Sequence, residues 1–144
     1  GNVLIQKENN VYIAKLCDFG GSSFSFARNQ TRNAHGTTRF EAPEILEQYD
    51  KKNPNFRYLP SCDVFAFAMI MYCIVAESNT PLESYTSHTV GDAVKRGERP
   101  SLPCVSQPWI DLITSCWHQQ PNSRPDFCEI VRILRSLPPP KLLV

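Results

Sequence analysis

The chain has almost no net charge: 15 Lys and Arg stand against 14 Asp and Glu, a formal +1. That balance gives no basic field for nucleic acid and no acidic tail, so charge names no partner. The six cysteines, at 17, 62, 73, 104, 116 and 128, include no Cys-x-x-Cys pair, which favours a reduced, intracellular (cytoplasmic) protein over a disulfide framework. Cys104, Cys116, His118 and Cys128 hold possible zinc ligands, but their spacing fits no finger and three of them are expected on apolar helix faces. The longest apolar run, Val64 to Ala76, is well short of the roughly 20 residues a membrane span needs and is expected to be a buried helix. The Asn29-Gln30-Thr31 triplet matches a glycosylation acceptor, but such triplets recur by chance and, with no secretory signal expected, it is discounted. There is no internal repeat and no low-complexity segment. No initiator methionine is present either: the chain opens at Gly1 and at once enters a strand-like run, so a fragment is expected. What remains, 144 residues that are 42% apolar, suits one domain with a real core.

That domain is organised around Lys15 to Glu44. The stretch opens with Lys15-Leu16-Cys17-Asp18-Phe19-Gly20 and closes with Gly36-Thr37-Thr38-Arg39-Phe40-Glu41-Ala42-Pro43-Glu44, enclosing a polar segment rich in Ser, Asn, Thr and Arg. An apolar run delivers one carboxylate to the end of a strand, an aromatic residue and a glycine turn the chain, and Ala-Pro-Glu re-anchors it. Further on come Gly97-Glu98-Arg99-Pro100, then Cys116-Trp117, Pro121 and Arg124-Pro125-Asp126-Phe127. In this order the motifs resemble the eukaryotic protein kinase family, specifically its C-terminal lobe, and the later ones are similar to the tyrosine-kinase-like group.

Periodicity supplies the elements. Asn2-Val3-Leu4-Ile5 and Val11 to Leu16 read as two short strands in a hairpin. Pro60-Ser61 opens a helix with Ser61 as N-cap and Asp63 in its first turn, and the apolar residues all round that helix imply burial on every side. A short helix is expected near His88 to Arg96. Trp109, Leu112, Ile113 and Cys116 fall at helical spacing, and an amphipathic helix from Asp126 to Leu137 is stopped by Pro138-Pro139-Pro140. The fold expected is thus mostly α with a short β-hairpin; the resemblance makes it a partial kinase C-lobe of the α+β kinase fold, without N-lobe or catalytic loop. Residues 1–137 would be the partial kinase domain: 1–17 the hairpin, 18–44 the activation segment, 45–137 the helical lobe. Residues 138–144 would be a Pro-rich tail.

The resemblance also implies roles. Asn2 and Asp18 would be oxygen ligands for Mg²⁺, with ATP phosphates completing the shell; the plainer readings are a turn residue for Asn2 and a turn cap for Asp18. Leu4 would floor the adenine pocket and Cys17 line it, or both would simply pack in strands. Phe19 would pack inward in the active state, with Gly20-Gly21 as a hinge. Thr31 is the first choice for an activation-segment phosphosite, although exposed loops are rich in Ser and Thr anyway. Gly36-Thr37 favours Ser/Thr specificity, with Thr37 positioning substrate, and Arg39 before an aromatic residue is shared with tyrosine kinases. Pro43 and Glu44 would re-anchor the segment through an ion pair between Glu44 and Arg124. Asp63 would accept N–H groups from the catalytic loop, or merely sit well at a helix start. The activity implied is transfer of the ATP γ-phosphoryl group to protein Ser or Thr hydroxyls. The catalytic Asp and Lys would lie upstream, in the missing N-lobe and catalytic loop, leaving the isolated fragment inactive. A pseudokinase or truncated interaction module is the other reading.

Overall fold

A computed structural model describes residues 2–22, 37–51 and 58–140. Strands β1 (Val3–Glu8) and β2 (Val11–Leu16) pair antiparallel, from Val3 opposite Leu16 to Glu8 opposite Val11. Asn9 and Asn10 join them, with φ of 48° and 63°. Two successive left-handed residues match the twist of a tight hairpin, and Asn tolerates that region better than most residues. The Cys17 N–H donates to the Asn2 carbonyl at 2.9 Å, which carries the ladder one step past the strands. All residues of both strands are exposed.

The rest of the described chain is helical: α1 (Pro43–Asp50), α2 (Pro60–Val75), α3 (Val90–Lys95), α4 (Gln107–Cys116) and α5 (Phe127–Ser136), with short 3-10 turns at Phe19–Gly21, Thr38–Phe40 and Pro121–Ser123. Proline begins α1 and α2 and stands in the first turn of α4, where its missing N–H costs nothing. The cap of α2 is Leu59 and not Ser61, because Pro60 has already taken the first helical position and Ser61 lies inside the helix. Gly97, at φ 92°, closes α3. The Glu98 N–H reaches the Ala93 carbonyl and the Gly97 N–H the Val94 carbonyl, both at 3.0 Å, a left-handed ending that glycine adopts without strain. At the start of α5, Asp126 accepts the Glu129 N–H at 2.8 Å.

Helix α2 is the axis of the core. Phe65, Ala68 and Met69 have no exposed surface, and Ile45, Val90, Val94, Ile113, Cys116 and Ile130 from the surrounding helices close on the same cluster. Side chains of this size are each worth roughly 1.5–3 kcal/mol when fully removed from water. Burial is not complete round the helix: Ile74 is 61% exposed, since the described neighbours cover only part of the cylinder. All six cysteines are free; Cys116 is buried on α4, whereas Cys104, in the loop before α4, and Cys128 are exposed and so do not line apolar faces. Among the described residues no cluster of His, Cys, Asp or Glu could hold a metal, and no helix is long and apolar enough to cross a membrane. The Trp109 indole N–H donates to the Pro138 carbonyl at 3.0 Å, which fastens the start of the tail to α4; residues 141–144 lie outside the described residues.

Candidate active site

The open end of the hairpin carries one group of candidate residues. Antiparallel pairing puts opposed residues on the same face, so Leu4 shares a face with Lys15, and by the same alternation with Asn2 and Cys17. Asp18 follows at once, exposed and in the left-handed region at φ 61°, ψ 61°. That conformation costs an L-residue roughly 1–2 kcal/mol, though Asp and Asn bear it better than others. Among the described residues, no hydrogen bond or ion pair reaches the Asp18 carboxylate. A Cβ added at Gly20 would stand 3.4 Å from Asp18 Oδ1, an ordinary contact distance. Phe19 is 65% exposed rather than packed inward, since no described element lies over it.

The second group lies where the chain resumes. Thr37 is extended and exposed, and its hydroxyl caps nothing. The turn after it is closed by the Phe40 N–H on the Thr37 carbonyl at 2.8 Å and by the Glu41 N–H on the Thr38 carbonyl at 3.2 Å. The Arg39 guanidinium reaches across to the loop after α2. Its Nη1 donates to the Pro81 and Leu82 carbonyls at 2.9 and 2.6 Å, and its Nη2 to the Tyr85 carbonyl. Leu82 itself is left-handed, at φ 54°. Thr31 and Gly36 lie outside the described residues.

The third group is buried. Arg124 and Glu44 form a two-pronged ion pair, Nη1 to Oε1 at 2.7 Å and Nη2 to Oε2 at 2.8 Å. The Arg124 side chain has no exposed surface and that of Glu44 is 20% exposed. Arg124 also donates to the Ser61 and His118 carbonyls, each at 2.8 Å, and to the Gln119 carbonyl at 3.3 Å. Pro43, buried at the start of α1, sets Glu44 in the first turn of that helix. Burial works to raise the Glu44 carboxyl, but the Arg124 hydrogen bonds and charge, its own backbone N–H and the Cys62 thiol together bring it below its ordinary value. The Cys62 thiol, 3.3 Å from Glu44 Oε1, is pushed up to about 12 by burial and then by that carboxylate, so it stays protonated. Asp63 stands apart: exposed, without hydrogen bond or ion pair among the described residues, its carboxyl is raised by desolvation.

Sequence reasoning missed a second, half-buried arginine. Arg99 donates to the Trp117, Val94 and Glu98 carbonyls at 3.0, 3.2 and 2.8 Å and to Gln119 Oε1 at 2.7 Å. Arg99 and Arg124 both lie near the Phe65 ring, at 4.8 and 5.1 Å from its centroid, where the π-face offers each cation further attraction. Burial, then the charge of Arg124, lowers Arg99 to about 10, which leaves it charged at neutral pH. The signal was present in Gly97-Glu98-Arg99-Pro100, an arginine set between a helix-ending glycine and a proline. Among the described residues, no hydrogen bond or ion pair links the hairpin to the helical body.

Comparison with known proteins agrees with these motifs. A family model described as protein tyrosine and serine/threonine kinase matches residues 1–134, and the chain belongs to that family. It is 34% identical over 148 residues to a probable serine/threonine-protein kinase of Dictyostelium discoideum, an alignment covering 99% of this chain and 15% of that protein. It is 33% identical over 137 residues to the serine/threonine/tyrosine-protein kinase HT1 of Arabidopsis thaliana, covering 94% of this chain and 32% of that protein. With an RGS domain-containing serine/threonine-protein kinase A of Dictyostelium discoideum the identity is 32% over 137 residues, 94% of this chain and 11% of that protein. The chain thus spans less than half the length of each of these relatives.

Proposed function

We propose that the chain is the C-terminal-lobe part of a protein kinase that transfers the ATP γ-phosphoryl group to Ser or Thr hydroxyls of a protein substrate. Residues 1–17 are its hairpin, 18–44 its activation segment and 45–137 its helical lobe; the N-lobe and catalytic loop of the same domain complete it, in an intracellular setting. The observation that carries this reading is Asp18: an exposed carboxylate with no partner among the described residues, held left-handed at the end of a hairpin whose ladder reaches Asn2. Backbone strain of this kind concentrates at functional sites.

The donor set suits the metal. Asn2 and Asp18 offer only hard oxygen ligands and no thiolate or imidazole, the preference of Mg²⁺. Bound there with ATP, Mg²⁺ would neutralise charge on the phosphates. The residues of the chain do the rest by position. Asp18 and Asn2 hold the cation, Leu4 and Cys17 flank the adenine on the hairpin face they share, and Thr37 offers its free hydroxyl to the substrate side. The Glu44–Arg124 pair fixes the far end of the segment, which includes Phe19 and Gly20 near its start, Thr31 as the candidate phosphosite, Gly36, and Pro43 near its end. Asp63 awaits N–H donors from the catalytic loop. Thr37, together with relatives named as serine/threonine kinases, supports Ser/Thr over Tyr. Retention of Asn2, Asp18 and Thr37 disfavours a scaffold, which has no use for metal and substrate ligands.

The test is Mg²⁺-dependent ATP binding and phosphoryl transfer by the full-length protein. Asp18→Asn removes the anionic ligand and is expected to lower transfer on the order of 10²–10³-fold, the scale of losing one stabilising electrostatic group. Equal activity in the variant, or nucleotide binding indifferent to Mg²⁺, would overturn the assignment.

A further inference from the structure

We infer that Arg39 is a positioning residue for protein substrate: it ties the Thr37–Phe40 segment to the loop after α2 and so sets the substrate side of the site independently of the nucleotide side. The inference rests on the kinase reading above and goes beyond it by naming what holds Thr37 in place.

The geometry is specific. One side of the segment lies beside α3: a Cβ added at Gly91 would meet Thr38 Cγ2 at 3.4 Å and Leu46 Cδ2 at 3.7 Å, ordinary contact distances. Phe40 packs against the core cluster. Between these two contacts the Arg39 guanidinium donates to three main-chain carbonyls, those of Pro81, Leu82 and Tyr85. Two successive carbonyls converge on a single guanidinium nitrogen, at the residue pair where Leu82 is left-handed. A guanidinium spans such a set because its donors are fixed in one plane, whereas a lysine ammonium presents a compact point charge. The anchor is also tied onward: the Tyr85 hydroxyl donates to Glu98, and Arg96 holds the other Glu98 oxygen at 2.8 Å. Thr37 stands two residues before Arg39, and its carbonyl closes the turn that Arg39 anchors.

No described hydrogen bond connects this anchor to Asn2, Leu4, Cys17 or Asp18, so its loss has no direct route to the nucleotide. The experiment is steady-state kinetics of the full-length protein, wild type against Arg39→Met and Arg39→Lys, with MgATP and casein as the Ser/Thr acceptor. Misplacing Thr37 by a fraction of an ångström is expected to raise KM for casein about 10- to 100-fold in Arg39→Met, given the steep dependence of rate on positioning. KM for ATP stays within about twofold, since nothing on that side has moved, and Arg39→Lys recovers only part of the loss. Thermal melting of each variant, read alongside, separates positioning from unfolding. Casein KM unchanged in a folded Arg39→Met, or both KM values rising together, overturns the inference while leaving the kinase reading intact. A wild-type protein that transfers no phosphoryl group overturns the kinase reading and this inference with it.

Discussion

Every residue of β1 and β2 is open to solvent, whereas Phe65, Ala68 and Met69 at the centre of α2 have no exposed surface at all. The hairpin is held by its own ladder and an Asn-Asn turn; the helical body is held by a shared core and by a buried ion pair between residues 80 positions apart in the chain. The candidate metal ligands Asn2 and Asp18 belong to the first region, and the groups that restrain the segment ends, Arg39, Glu44 and Arg124, belong to the second or lead into it. Chemistry-bearing groups need unsatisfied valences and access, which a packed core denies them; anchoring groups need partners and exclusion of water. The difference between the two regions is therefore a division between ligands left free and restraints fully engaged.

That division can be broken most severely at Arg124. Arg124→Ala leaves Glu44 half-buried without its cation and strips donors from three carbonyls, and is expected to cost about 3–5 kcal/mol of stability. Denaturant unfolding measures it; a variant melting with the wild type would show that the pair restrains nothing.

A pH series tests the same pair with a definite sign. Glu44 titrates below its ordinary value of 4.5 in the folded chain. A carboxyl lowered on folding contributes stability that is fully present above the unfolded value and is lost as pH falls through the folded one. The stability gap between wild type and Glu44→Gln, about 3 kcal/mol near neutrality, is expected to narrow once pH drops below 4.5. A gap independent of pH down to 3 would place the stabilisation elsewhere, with ~3 the pH by which an ordinary carboxyl is largely protonated.

Arg99 makes a gentler contrast. It lies near the same ring as Arg124 but has carbonyls and one amide oxygen for partners instead of a carboxylate. Arg99→Met keeps much of the apolar stem and relieves repulsion with Arg124, so a loss of about 1–3 kcal/mol is expected, from carbonyls left without donors. A loss equal to that of Arg124→Ala would remove the distinction between a buried cation paired with a carboxylate and a half-buried one held by carbonyls.

The smallest change sharpens the other side. Asn10→Gly relieves a left-handed residue in the hairpin turn and is expected to add roughly 0.5 kcal/mol locally. Amide exchange should slow about twofold in β1 and β2 and remain unchanged in α2 and α4. Slowing that spreads to the helices would mean that the two regions open as one unit.

The elements legible in the sequence were those governed by local rules. Alternation and an Asn-rich break defined the hairpin, and the spacing of Trp109, Leu112, Ile113 and Cys116 defined the buried face of α4; the Glu44–Arg124 pair, no local feature, was implied by the family resemblance alone. Tertiary context decided the remainder. Ser61 has a good capping side chain, but Pro60 fixes the helix one residue earlier; Phe19 has an aromatic ring suited to burial, but no described element covers it. The partners of Arg39 are main-chain carbonyls, and those of Arg99 are carbonyls and one amide oxygen; carbonyls leave no trace in side-chain identity, so the motif around Arg99 marked the residue but not its partners. At the candidate site, residue type and order pointed to Asn2 and Asp18, while the left-handed backbone that presents Asp18 came only from the structure.

Hydrogen–deuterium exchange of the full-length protein with and without MgATP tests the central claim most directly, because it reads both regions in one experiment. Protection is expected at the open end of the hairpin, over Asn2 to Leu4 and Leu16 to Phe19, and to vanish in Asp18→Asn, with α2 and α4 exchanging alike throughout. Protection that ignores the hairpin end, or that survives Asp18→Asn unchanged, would contradict the account.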